Sequence, residues 1–362
     1  MSITADSILE ACRPIQDPDL NRSIVDLGFV KNIEIKGSDV RFDLELTTPA
    51  CPVKDILKSA CEDAVAELPG VKKVEVKLTA QTRGFASQTA DLLKGVRNVI
   101  AVASGKGGVA KSTTAVNLAL ALKHQGAKVG ILDADIYGPS VPTMVRMDEE
   151  PAMNAKEQLI PALGQGLKVI SMGFFIPQGR AAILRGPMVS QYVNQFLANV
   201  QWGELDYLII DYPPGTGDIQ LTLSQAAPIS GAVICTTPQG ISLIDVSKAL
   251  SMFETTKVPV LGVVETMSYF VCDGCDKRHN IFRAGGGEKI ANKIGVPFLG
   301  AIPIDPRVAE CGDDGRPIVA AYADSPAAQA YRELSGAVAS QLSILNLERG
   351  NYLEQFSVEW KA

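Results

Sequence analysis

Basic residues are not in excess in this chain. Lys and Arg total 34 against 40 Asp and Glu in 362 residues, a net charge of −6. That balance excludes a general nucleic-acid binder, which needs a basic face. Long hydrophobic runs are missing too, and no apolar stretch is of bilayer length. Met1 to Cys12 has no basic segment followed by an apolar run, so a secretion signal is not expected there. Neither nucleic acid nor membrane is therefore expected as a partner. Seven cysteines, unevenly spaced, are too few for a disulfide scaffold. They point to a reducing compartment, the cytoplasm, with some thiols free for metal or redox work. No internal repeat or low-complexity tract occurs. What is abundant is apolar: 46% of residues are hydrophobic and 20% charged, as in a globular protein with a sizeable core. The length allows two or three domains.

Three regions separate by pattern. Residues 1–84 read as a small α+β domain. Val30, Ile33 and Ile35 lead to a turn at Gly37-Ser38-Asp39, and Val40, Phe42, Leu44 and Leu46 then alternate as a half-buried strand. Pro52 to Leu68 carries a helical stripe, and Val74, Val76 and Leu78 alternate again. Residues 85–96 read as a linker, with a short helix at Ala90–Lys94. From 97 to 345, short β-branched runs recur between helical stretches: Val99–Ala103, Val129–Asp133, Val169–Met172, Tyr207–Asp211, Ala232–Thr236, Val260–Val264 and Phe298–Ile302. Runs this apolar are buried on both faces, so the expected fold is α/β: a mostly parallel sheet with helices on each side. The last helix is expected over Ser325–Leu345. Residues 346–362 read as an unpatterned tail.

The first strand of this region runs into Gly105-Lys106-Gly107-Gly108-Val109-Ala110-Lys111-Ser112-Thr113, and a helix follows with Ala115, Leu118, Ala119 and Leu122 on one stripe. Strand, glycine loop and helix in that order are what a phosphate-binding loop requires. Its backbone N–H groups and the helix N-terminus favour phosphate. Lys111 would neutralise the β- and γ-phosphates of ATP, Ser112 would hold Mg²⁺, and Thr113 would face the α-phosphate. A glycine turn without a ligand is the plain alternative. Two carboxylate sites downstream weigh against it: Asp133-Ala134-Asp135 ends the next strand, and Asp211 ends Leu208-Ile209-Ile210 before Pro213-Pro214-Gly215-Thr216-Gly217. Ala110 departs from the loop pattern, which has glycine before the lysine. Alanine resists a positive φ there, so nucleotide binding or hydrolysis is expected to be weakened.

Cys272-Asp273-Gly274-Cys275 follows the run Val260–Val264. Two thiolates cannot complete a tetrahedral metal site or a four-iron cluster, each of which needs four ligands. Four readings stand open: half of a cluster site shared by a dimer, a zinc site completed by His279 and Cys311, a redox disulfide, and a polar turn with unused thiols.

With Lys106 near its start, the loop resembles the deviant Walker A class. There that lysine reaches across a homodimer to the partner's nucleotide and stabilises charge on the transferring phosphoryl group. More specifically, the chain resembles the Mrp/ApbC family of iron–sulfur cluster carrier ATPases. The matching runs are Ser104 to Val109, Asp133 to Ser140, Leu184-Arg185-Gly186-Pro187-Met188, Trp202 to Tyr207, Pro213 to Asp218, and Met267-Ser268-Tyr269-Phe270 before Cys272. The resemblance implies a homodimer that binds a [4Fe–4S] cluster through Cys272 and Cys275 and exchanges it with assembly scaffolds and client apoproteins under ATP control. It assigns Asp135 to orienting the attacking water and Asp133 to supporting the site. Thr266 stands where the family usually has an asparagine near the adenine, and Gly240 where an acidic residue is common.

Residues 10 to 78 resemble the small SufT-type domain, through Asp17-Pro18-Asp19, Val25 to Val30 and Thr47 to Pro52. Cys51 is expected at the N-cap of the helix that begins with Pro52, where the dipole would lower its pKa. A transient ligand and a small capping residue are both open readings. Cys12, Cys61 and Cys235 read as structural. Three other functional classes fit part of the sequence: a scaffold that senses nucleotide without hydrolysing it, a MinD- or ParA-like positioning ATPase, and an electron-transfer ATPase resembling the nitrogenase iron protein. Ala110 keeps the first open, and measured turnover separates it from a carrier ATPase. The second needs an amphipathic C-terminus or a basic DNA face, neither clear in residues 346–362, and leaves the cysteine pair unexplained; the third places its cluster cysteines far apart in sequence, unlike Cys272 and Cys275.

Overall fold

The computed structural model describes residues 3–82, 84, 92–175 and 186–355. Two compact units divide the chain: residues 1–83 together with the chain from Ala339 onward, and residues 84–338.

In the first unit, strands Val30–Lys36 and Asp39–Leu46 form an antiparallel hairpin, and Lys73–Ala80 adds parallel to the second. Helices Ala5–Cys12 and Lys54–Ala66 accompany this sheet. The alternation of Asp39–Leu46 is literal: Val40, Phe42, Leu44 and Leu46 are buried while Asp39 and Arg41 are exposed. Ile8, Cys12, Leu57, Cys61 and Val65 from the helices complete the core. The second helix begins at Lys54, two residues later than Pro52, with Val53 as its N-cap.

The second unit is built on an eight-stranded sheet. Its order is Ala162–Gly164, Leu167–Ser171, Val129–Asp133, Leu205–Asp211, Val96–Ala103, Gly231–Thr236, Val260–Glu265 and Phe298–Ala301. Every neighbouring pair is parallel except the first, an antiparallel edge hairpin. Val129–Asp133, Gly231–Thr236 and nearly all of Val96–Ala103 and Leu205–Asp211 are buried, as strands covered on both faces must be. The central strand, Val96–Ala103, feeds the glycine loop, and parallel order brings the carboxyl ends of its neighbours to the same edge. Ligands bind at such an edge.

Three expectations shift. Met172 leaves the strand and opens a one-turn 3₁₀ helix, Met172–Phe174. Leu92–Gly95 form turns rather than the end of a helix; residues 85–91 of the expected linker, like Leu184 and Arg185, lie outside the described residues. The last helix runs Pro326–Gln355, ten residues past Leu345, so the first part of the expected tail is helical. Among the described residues no helix is long and apolar enough to cross a membrane.

Candidate functional site

The glycine loop joins the central strand to helix Lys111–His124. Gly105 cannot be anything larger, because a Cβ there would lie 2.2 Å from the Asp245 carbonyl of helix Gly240–Thr255. Gly108 has φ 77° and Ala110 φ 53°, so the left-handed step falls on a residue with a Cβ. Lys106 is half-buried, and its carbonyl accepts the Ser104 hydroxyl at 2.8 Å.

The structure pairs Lys111 with Asp211, two residues the sequence pointed to separately. The lysine ammonium donates to an Asp211 carboxylate oxygen and, at 3.1 Å, to the Ser112 hydroxyl. Both partners are nearly inaccessible, at 6% and 0% side-chain exposure. Burial raises the Asp211 pKa, and the Lys111 charge opposes that rise. Among the described residues, the second Asp211 oxygen is buried with no hydrogen-bond partner. The turn after Asp211 is tied back to the loop strand by the Gly215 N–H on the Ser104 carbonyl, 3.1 Å.

Asp133 is fully buried and organises the neighbouring turn. Its carboxylate accepts from the N–H groups of Asp135 (3.1 Å), Ser140 (3.1 Å) and Val141 (3.2 Å), and from the Ser171 hydroxyl (2.9 Å). Burial and the Asp211 charge push its pKa up to about 7. Asp135 is half-buried; burial raises its pKa, and its carboxylate accepts the Gly138 N–H at 3.3 Å. Ser171 was not legible in the sequence, since a serine closing an apolar strand carries no signal of its own.

A cavity of about 490 Å³ opens beside the loop. Ala110, Thr113, Thr266, Met267, Phe282 and Tyr331 are among its walls, and its volume lies in the usual range for small-molecule sites. Thr266 borders the cavity, but its hydroxyl is engaged with the Val109 and Thr236 carbonyls, each at 2.9 Å.

The cysteine pair lies in the hairpin made by Phe270–Val271 and Arg278–His279. Cys272 is half-buried and Cys275 exposed, both as free thiols. The N–H of Gly274, the Cys275 thiol and the Cys275 N–H favour the Cys272 thiolate and lower its pKa. Arg278 lies over the Tyr269 ring, 4.4 Å from its centroid, at the hairpin's base. Glu265 anchors both ends of the excursion that carries the cysteines. It accepts the Ser268 hydroxyl at 2.5 Å on one side, and the Gly285 and Gly287 N–H groups at 3.1 and 2.6 Å on the other. An acid closing the apolar run Val260–Val264 is visible in the sequence, but the amides it holds are not. Cys311 is buried on helix Pro306–Asp313 and His279 is exposed. Among the described residues no three His, Cys, Asp or Glu side chains converge as a metal site. The zinc reading therefore loses its ligand set.

Cys51 corrects the sequence reading. It is buried, and the helix starts three residues later, so it is not the N-cap. Burial outweighs the Val53 N–H that points to its sulfur, and its pKa rises to about 11. Cys12, Cys61 and Cys235 are buried as expected.

The parallel sheet, the glycine loop and the paired Lys111 and Asp211 define the chain as a P-loop NTPase. A family model described as NUBPL iron-transfer P-loop NTPase matches residues 95–339, and one described as iron-sulfur cluster assembly protein matches residues 5–78. A Synechocystis sp. protein named iron-sulfur cluster carrier protein is 47% identical over 351 residues, covering 95% of this chain and 99% of its own length. The chloroplastic Fe-S cluster assembly factor HCF101 of Arabidopsis thaliana is 49% identical over 340 residues, covering 92% of this chain and 63% of its own length. Among solved structures, a nucleotide-binding protein from Archaeoglobus fulgidus in complex with ADP is 42% identical, with a TM-score of 0.56, over 63% of this chain and 92% of that one. The chain belongs to the iron–sulfur cluster carrier family of iron-transfer P-loop NTPases.

Proposed function

We propose that two copies of this chain carry a [4Fe–4S] cluster between them on Cys272 and Cys275 of each, receive it from assembly scaffold proteins, and deliver it to client apoproteins under the control of ATP. The observation that carries this reading is the hairpin itself. It presents two adjacent thiols, one of them with a lowered pKa, and they make half of a four-thiolate set. A second copy supplies the other half. All seven cysteines are free thiols, which suits a reducing compartment such as the cytoplasm.

ATP binds with its phosphates on the amides of Gly105 to Thr113. Lys111 leaves Asp211 to neutralise the β- and γ-phosphates, and Lys106 reaches the nucleotide of the second copy. The unpartnered Asp211 oxygen and the Ser112 hydroxyl fit Mg²⁺, a hard cation that takes oxygen donors. When bound, Mg²⁺ supplies charge neutralisation at the phosphates. Asp135 orients the attacking water, and Asp133 holds the turn that presents it. Turnover is slow because Ala110 strains the loop.

Anaerobic reconstitution with iron and sulfide, followed by ultraviolet–visible spectra, tests the carrier reading. The wild-type chain gains cluster absorbance, eluting as a dimer in gel filtration, while Cys272→Ala and Cys275→Ala gain none. Absorbance that survives both substitutions would overturn it.

A further inference from the structure

The strained joint of the phosphate loop is the peptide entering Ala110. Ala110 has φ 53° and ψ 33°, a conformation in which Cβ crowds the following carbonyl oxygen and which glycine adopts freely. The peptide planes on both sides of Ala110 are held by hydrogen bonds. Its own carbonyl accepts the Thr114 N–H at 2.9 Å and the Thr114 hydroxyl at 2.8 Å. The preceding carbonyl, on Val109, accepts the Thr266 hydroxyl at 2.9 Å, from 157 residues further along the chain.

Thr266 is rigidly placed for this. It is 1% exposed, follows directly on strand Val260–Glu265, and bonds through its N–H to the Thr236 carbonyl at the end of the next strand, 2.8 Å. Its single hydroxyl hydrogen is shared between the Val109 and Thr236 carbonyls, leaving none for a nucleotide base. A trans peptide is planar, with C=O and N–H opposed. Holding the Val109 carbonyl therefore also sets the direction of the Ala110 N–H, one of the loop amides available to phosphate.

We propose that Thr266 is a positioning residue for the phosphate loop: its hydroxyl holds Ala110 in the left-handed conformation that a glycine would take unaided. The affinity part of the test rests on the nucleotide-binding reading above; the stability part does not. Four full-length chains are compared: wild type, Thr266→Val, Ala110→Gly and the double substitution. Calorimetry with Mg·ADP is expected to show Thr266→Val weakening binding roughly tenfold beside Ala110, but roughly threefold or less in the Ala110→Gly background. Thr266→Ser, which keeps the hydroxyl, is expected to bind as wild type does, and ATP turnover is expected to follow the same order. Equal losses in both backgrounds, or no loss in either, overturn the proposal. If none of the chains binds Mg·ADP, the nucleotide reading fails, and the thermal midpoints of the four nucleotide-free chains still decide. A Thr266→Val drop that shrinks beside Ala110→Gly supports the hydroxyl's role, including the case in which Thr266→Val folds only in that background; additive drops overturn it.

Discussion

Cys51 and Cys272 each have backbone amides directed at the sulfur, from Val53 in the one case and from Gly274 and Cys275 in the other. The folded chain separates them. At Cys51, the Val53 N–H pulls the thiol pKa down, yet burial pulls it up further, to about 11. At Cys272, the Gly274 and Cys275 amides act on a half-buried sulfur in a hairpin, and the pKa falls. One amide loses to burial at Cys51, while two amides and the Cys275 thiol prevail at the less buried Cys272, because the cost of removing a charge from water depends on what packs around it. The phosphate loop applies that lesson at higher stakes, with a lysine and two carboxylates almost wholly buried together.

Substitutions can break this contrast between buried and solvated charge. The largest effect is expected at the buried ion pair. Lys111→Met leaves Asp211 uncompensated and should cost about 3–5 kcal/mol, read from urea unfolding. Adding Asp211→Asn should recover most of that loss; a double variant as unstable as the single one would show that the pair matters through shape and not charge. The thiols come next. Alkylation of the native chain near neutral pH, followed by peptide mass spectrometry, should modify Cys272 roughly 100-fold faster than Cys51, with the gap collapsing in denaturant. Similar native rates would mean that burial does not silence Cys51.

The smallest effect tests Asp133 by pH. Its folded pKa of about 7 lies above its ordinary value of 3.8. Stability from this group is therefore fully present below 3.8 and is lost as pH rises through about 7. Asp133→Asn does not titrate, so the amount by which wild type exceeds it in thermal midpoint should narrow between about pH 5 and about pH 8. A constant or widening gap would show that Asp133 is already ionised at the lower pH.

Much of the site was readable because its signals are local. A buried strand, a glycine loop and a helix follow one another within residues 96–124, and acids close two further apolar runs. Parallel strands bring such run ends to one edge, so Lys111 meets Asp211. The roles of Ser171, Glu265 and Thr266 were not readable. Each is one polar residue at a strand end, and its meaning lies in partners 38, 22 and 157 residues away.

By itself, the amino-acid sequence determined the class of the large unit, its phosphate loop and the cysteine pair. These depend on periodicity and spacing, which neighbouring residues set. Only the tertiary structure decided which thiol is buried, which carbonyl Thr266 holds, and how a left-handed Ala110 is supported. Desolvation and hydrogen bonding act through space, and no short stretch of chain contains the residues that impose them.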